Sequence, residues 1–299
     1  MKFILSILLI TSISISNNGP FVVVLGIAQD GGAPHANCQK FCCKNLWDGI
    51  NSEKVSSIGV INPKTGESWI IDATPDFPAQ HKIITHNYQT QLAGIFLTHA
   101  HIGHYTGLIY LGKEVMDAKM VPVFIMPKMK SFLESNGPWN QLVSLENIEL
   151  ITLRNNRFRK LADDLFIEPF LVPHRDEYSE TVGYKIMGPN ASLLYIPDID
   201  KWDKWDQEIF EVIQHVDVAL IDGTFFSQDE IPHRDMNEIP HPFITETMKH
   251  LFNLNTSNRN KIYFTHFNHS NPAIRDGAAV NQIRSNRFNV AREGIIFDL

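Results

Sequence analysis

The sequence predicts an α/β layered fold of sheets flanked by helices, and three observations carry that expectation. Short apolar runs bounded by turn residues recur along the whole chain. Stretches with helical spacing of apolar residues fall between them. Residues with chemical capability stand at the ends of the apolar runs rather than at random, as they do where strand-end loops gather on one edge of a sheet.

Residues 21–26 give the first strand, Phe-Val-Val-Val-Leu-Gly, followed by strands over 56–61, 68–72 and 93–97. A helix is expected beyond His104. Later strands cover 166–172, 192–196, 218–221 and 261–265, and a helix over 201–215 is expected from Trp202, Trp205, Ile209, Val212 and Ile213. Trp202 and Trp205, with Phe225 and Phe226, read as core aromatics rather than the wall of a substrate pocket, because aromatics at helical spacing bury against a sheet. No internal repeat or low-complexity tract interrupts this body, so residues 19–299 read as one domain.

The chain of 299 residues has 43% hydrophobic residues and a net charge of -7, ordinary for a globular protein. An acidic balance without a basic arm disfavours nucleic acid as a partner. Residues 1–18 open with Lys2 and an apolar stretch that fades into serines, which resembles a secretory signal peptide too short to span a bilayer. A periplasmic or secreted location is the expectation, with no membrane span after cleavage. Cys38, Cys42 and Cys43 are the three cysteines. An odd number cannot pair fully, so a disulfide from Cys38 to Cys42 or Cys43 competes with a structural zinc held by thiolates and a distant histidine.

Five strands end in Asp72, His99, His174, Asp198 and His266. The fourth strand runs into Thr98-His99-Ala100-His101-Ile102-Gly103-His104, whose histidines at i, i+2 and i+5 can converge on one or two divalent ions. Asp76 reads as a turn organiser. His35, His81, His86, His215 and His250 read as loop or helix-face residues, and His233 carries no firm assignment.

These residues together resemble the metallo-beta-lactamase superfamily, which implies a four-layer αβ/βα sandwich of two mixed sheets flanked by helices. The superfamily loop His-x-His-x-Asp-His is matched by His99, His101 and His104, with Gly103 where the aspartate is expected. The resemblance implies that Asp72 buttresses the loop, His174 completes the first metal position, Asp198 bridges two metals and His266 is the last ligand. Within the superfamily the likeness is to the pyrroloquinoline-quinone synthesis protein B group, carried by residues 25–34, by Thr106-Gly107-Leu108 and by residues 266–272. It implies a structural zinc on Cys38, Cys42 and Cys43, with His269 a candidate fourth ligand. This chain departs from the group in keeping all three loop histidines and in carrying an export-like leader.

On this reading His99, His101 and His174 hold a first ion with a position left for water, giving a metal-bound hydroxide as nucleophile. His104, Asp198 and His266 hold a second, weakened by Gly103 unless water, Asp200 or Asp222 compensates. Asp222 and His241 stand in an order resembling the acidic residue and histidine that assist proton transfer in a phosphodiesterase branch. With Asp198 they form the catalytic set. The expected function is an exported hydrolase using one or two zinc ions, or iron or manganese, on a small ester, lactone, amide or phosphodiester. An iron-dependent oxygenase or quinone-cofactor biosynthesis role, and a non-catalytic binding protein, are the alternatives.

Overall fold

The computed structural model describes residues 19–49, 51–230, 235, 238–275 and 277–299. The signal-like segment 1–18 and His233 lie outside the described residues.

Strand β1 (Phe21–Gly26) is buried at every position, as its unbroken apolar run requires. Successive side chains on a strand point to opposite faces. Val22 and Val24 therefore enter a core that spans to the second sheet, while Phe21, Val23 and Leu25 enter another beneath the outer helices. Strand β2 (Ser57–Asn62) follows, then β3 (Glu67–Ile71), which divides Trp69 and Ile71 from Ile70 in the same way. Strands β4 (Gln91–Phe96), β5 (Val121–Ile125) and β6 (Ile148–Thr152) complete this run. β1 to β3 pair antiparallel and β3 to β6 parallel.

The second sheet starts with β7 (Arg159–Ala162), β8 (Leu165–Leu171), β9 (Val182–Met187) and β10 (Ser192–Ile196), paired antiparallel. It continues in parallel through β11 (Val218–Asp222), β12 (Ile262–Thr265) and β13 (Asn289–Val290). β14 (Ile296–Asp298) returns to the first sheet and pairs with β1, so each sheet has seven strands. Phe77, Leu108, Met129, Leu133 and Leu142 cover the outside of the first sheet, and Ile209, Ile213, Ile244, Met248 and Ile283 belong to the core that continues behind the second. The result is the expected four-layer sandwich of two mixed sheets flanked by helices.

Two helical expectations are corrected. The stretch 201–215 is not one helix: Trp202–Lys204 forms a 3-10 turn, Trp205 is extended with ψ 137°, and the helix proper is Ile209–Gln214. The indoles account for the break. Trp202 Nε1 donates to Thr247 Oγ1 at 2.8 Å and Trp205 Nε1 to the Leu171 carbonyl at 3.0 Å, so both rings are tied into the core by separate partners. Helical structure also begins before His104 rather than after it, as Ile102–Tyr105, and passes into a 3-10 helix Thr106–Leu111. That passage crosses the backbone at Thr74, where a Cβ on Gly107 would lie 2.1 Å from the Thr74 carbonyl oxygen. Only glycine fits this approach.

Candidate metal centre

The strand ends converge. Asp72 follows β3 with a left-handed φ of 70°, His99 follows β4, Asp198 follows β10, Asp222 closes β11 and His266 follows β12 with φ 59°. His174 arrives from the loop after β8. His99, Asp198, Asp222, His241 and His266 are all buried.

His99, His101, His174 and Asp198 form one donor set with ligand atoms within 4.8 Å of one another. His99 Nε2 lies 2.8 Å from His101 Nδ1 and 3.3 Å from Asp198 Oδ2, and His174 Nε2 lies 3.3 Å from both His101 Nδ1 and Asp198 Oδ1. A second set joins His104, Asp198 and His266, with His104 Nε2 3.7 Å and His266 Nε2 3.9 Å from Asp198 Oδ2. Asp198 is common to both, as expected of a bridging carboxylate.

The outward nitrogens explain why the inward ones are free. Thr98 donates its backbone N–H to Asp72 Oδ1 at 2.8 Å and its hydroxyl to the same carboxylate at 3.0 Å. That hydroxyl has one proton, so it accepts from His99 Nδ1–H at 3.0 Å, leaving Nε2 with its lone pair. Asp72 also accepts from His104 Nδ1–H at 2.7 Å, Thr224 Oγ1 fixes His266 Nδ1 at 3.0 Å, and Glu177 Oε2 accepts from His101 Nε2–H at 2.9 Å. Such outer partners set tautomer and ring orientation in metal sites. His104 Nε2, His266 Nε2 and Asp198 Oδ1 are buried with no hydrogen-bond partner among the described residues. Buried polar atoms are seldom left unpaired, so this donor set fits divalent ions.

The electrostatics agree. Burial, with the neighbouring imidazoles, holds His99 and His266 well below the ordinary histidine range. Burial brings His174 down to about 4 and lowers His101. These rings are neutral, the form that binds a metal. His104 is raised, because the Asp72 charge and hydrogen bond outweigh its burial. Burial raises the Asp198 carboxyl.

His241 joins the site by donating from Nδ1 to Asp222 Oδ2 at 2.9 Å, and its Nδ1 lies 3.3 Å from Asp198 Oδ1. Burial opposes its charge, yet Asp222 and Asp198 push it up to about 9. Asp222 also accepts from Thr224 N at 2.8 Å and Ile199 N at 3.2 Å. It shares a donor set with Asp198 and His241. Asp200 is a correction: it accepts from Lys201 N and from Lys204 Nζ at 2.8 Å and belongs to none of the donor sets. A nearby lysine outcompetes the site for its carboxylate.

Away from this centre, Cys38, Cys42, Cys43 and His269 bring their ligand atoms within 4.8 Å of one another. The Cys38 and Cys42 sulfurs are 3.8 Å apart and all three thiols are free, so no disulfide is formed. The short helix Phe41–Lys44 places Cys42 and Cys43 side by side, and His269 stacks on His35 with ring centroids 4.5 Å apart. Burial and His35 bring His269 down to about 4, and its Nδ1 is buried without a partner among the described residues.

Sequence reading did not single out Thr98, Thr224 or Glu177. The two threonines carried a usable signal, standing directly before His99 and two residues after Asp222. Glu177 lies three residues beyond His174 in an irregular loop and had none.

A family model described as a beta-lactamase superfamily domain matches residues 68–267. Coenzyme PQQ synthesis protein B of Pseudomonas protegens is 24% identical, covering 93% of this chain and 100% of its own. The protein of the same name from Acinetobacter baumannii is 26% identical over 93% of this chain and 99% of its own. The crystal structure of Zn(2+)-bound PqqB from Methylobacterium extorquens superimposes with a TM-score of 0.77 at 21% identity, covering 93% of this chain and 100% of that one. A diphosphatase from the PhnP family gives 0.66 at 19% identity, covering 94% and 97%.

Proposed function

The chain belongs to the metallo-beta-lactamase superfamily and is PqqB-like, and on that premise we propose that it is a metal-dependent hydrolase of a small ester, lactone, amide or phosphodiester. One observation carries the reading: six side chains from both sheets turn donor atoms toward each other, and three of those atoms are buried without a hydrogen bond among the described residues. His99, His101 and His174 would hold a first ion with Asp198, and His104 and His266 a second. When bound, such ions polarise the scissile group and bring the pKa of water down toward about 7.

The remaining steps belong to protein groups. Asp222 fixes the His241 ring by the 2.9 Å bond to Nδ1, so that the imidazolium is placed to give a proton to the leaving group. Asp72 and Thr98 hold the histidine loop in register, and Glu177 orients His101 by accepting from its Nε2. Cys38, Cys42, Cys43 and His269 would hold a structural zinc, the ligand set and count that closed zinc sites use. The leader-like residues 1–18 support export to the periplasm or beyond, which N-terminal sequencing of the protein from fractionated cells tests.

A second reading has support from the PQQ synthesis relatives, whose likeness spans 93% of the chain: an iron centre serving oxygen-dependent chemistry in quinone-cofactor assembly. The experiment is metal analysis of the purified chain with turnover on chromogenic esters, lactones and phosphodiesters, in air and without oxygen. Hydrolysis that survives without oxygen and disappears in a His99→Ala, His101→Ala variant, together with the metal of the histidine centre, is the expected result. Oxygen-dependent turnover with bound iron favours the second reading. A chain that binds neither zinc, iron nor manganese on reconstitution overturns both.

A further inference from the structure

We propose that Asp30 supplies the carboxylate donor that Gly103 withholds from the second metal position, an inference that rests on the metal-centre reading above.

The first observation is steric. A Cβ built on Gly103 would lie 3.0 Å from Asp30 Cα and 3.4 Å from both Asp30 N and Asp30 O. The direction in which a side chain would leave residue 103 is thus already filled by the Asp30 backbone. An aspartate at 103 and this placement of residue 30 exclude one another without a shift of the loop, and the residue that fills the space is itself an aspartate.

The second is placement. The segment before Asp30 is laced to the strand end that carries His266: Phe267 N donates to the Ile27 carbonyl at 2.7 Å and Gln29 N to the Phe267 carbonyl at 2.8 Å. Gly32 N closes a turn on the Gln29 carbonyl at 3.0 Å, with Asp30 held at a left-handed φ of 45°. Non-glycine residues in that region cluster at functional sites. Asp30 is therefore fixed between the helix bearing His104 and the strand end bearing His266, the two histidines whose Nε2 atoms are buried and unpartnered among the described residues.

The third is elimination. Asp200 is occupied by Lys201 and Lys204, and both oxygens of Asp222 accept from Thr224, Ile199 and His241. Asp30 is half-buried, and its carboxylate accepts no hydrogen bond from the described residues. It stands outside the sets whose donor atoms lie within 4.8 Å of one another, so on this proposal its side chain has to turn inward to reach the ion. Two imidazoles and a shared Asp198 leave a divalent ion short of anionic oxygen, which this rotation would provide.

The test is zinc binding to the metal-free full chain by calorimetry, with retained metal counted by mass spectrometry in a Cys38→Ala, Cys42→Ala background that silences the cysteine cluster. Asp30→Asn and Asp30→Gly both suit a positive φ, and a metal-free melting temperature matching the parent shows that each folds. The parent should take two ions. Either variant should keep the first affinity and bind the second at least about tenfold more weakly, the scale on which ligand surroundings tune metal sites. Unchanged binding of the second ion in both variants overturns the assignment, as does a parent that takes a single ion. A parent that takes none overturns the metal-centre reading with it.

Discussion

Asp72 has φ 70°, is fully buried, and accepts from Thr98 N, Thr98 Oγ1 and His104 Nδ1. Removing it leaves three donors without their acceptor inside the protein. Asp72→Ala should cost about 3–5 kcal/mol in the metal-free protein, the range for breaking a buried, hydrogen-bonded charge pair, and should weaken metal binding as His104 loses its orientation. Urea unfolding and metal counting read the two effects separately. The ligands themselves were legible because chemistry demands histidine and aspartate, and strand ends put them at recognisable places: His99, His101, His104, His174, Asp198 and His266 all meet. Of their supports, Asp72 was legible through the family resemblance and meets Thr98 and His104 as that implied, while the others were not. Glu177 reaches His101 across a loop of no regular geometry, and Asp200 sits two residues from Asp198 yet turns to Lys204. Nothing in local sequence states which way a carboxylate turns.

Loops between elements carry their own consequences. The segment around Asp30 is held against residues 53–56 by Glu53 N donating to the Ala33 carbonyl at 2.7 Å and Ser56 N to the Ala28 carbonyl at 2.8 Å. Burial, with the nearby Glu293 charge, pushes the Glu53 carboxyl up to about 7 from the ordinary 4.5. The folded state then holds this proton more tightly than the unfolded state. The stability it contributes is fully present below about pH 4.5 and is lost as pH rises through about 7. Glu53 is partly exposed, so solvent screening limits the change to about 1 kcal/mol. Glu53→Gln should flatten that decline, measured by thermal melts of the metal-free protein at pH 5 to pH 8. Among the elements, β1 was readable from an unbroken apolar run because both its faces are buried, and β3 and β4 from the shorter apolar runs at their C-terminal ends. Strands β5, β6, β7 and β9 were missed: Pro122, Glu149, Arg159 with Lys160, and Gly183 interrupt the runs, and pairing across the sheet overrides those local preferences. The helix expected over 201–215 failed for a related reason, since spacing alone does not reveal that two indoles have separate partners.

At the scale of the molecule, the layered class followed from the alternation of strands and helices, and the four-layer arrangement from the family resemblance. The strand order did not follow, because β14 reaches back to β1 across the whole chain. Ion binding to the folded state alone adds stability by mass action, about 2.7 kcal/mol when the ion is at a hundred times its dissociation constant. In a Cys38→Ala, Cys42→Ala background that silences the cysteine cluster, stripping the histidine centre with a chelator should lower the melting temperature by about 5–10 °C for a chain of this size, read by calorimetry, and adding His99→Ala and His101→Ala should abolish that shift. The ligands of that centre come from opposite sheets: His99, His101 and His104 from one, His174, Asp198 and His266 from the other. With an ion held there as proposed, parting the sheets at this edge would break coordination bonds along with apolar contacts. An ion so placed acts as a rivet across the seam, and its escape and the opening of the seam share one barrier. On the proposed occupancy the loaded protein would be long-lived against proteases for a kinetic reason, with a lifetime set by how seldom that rivet lets go.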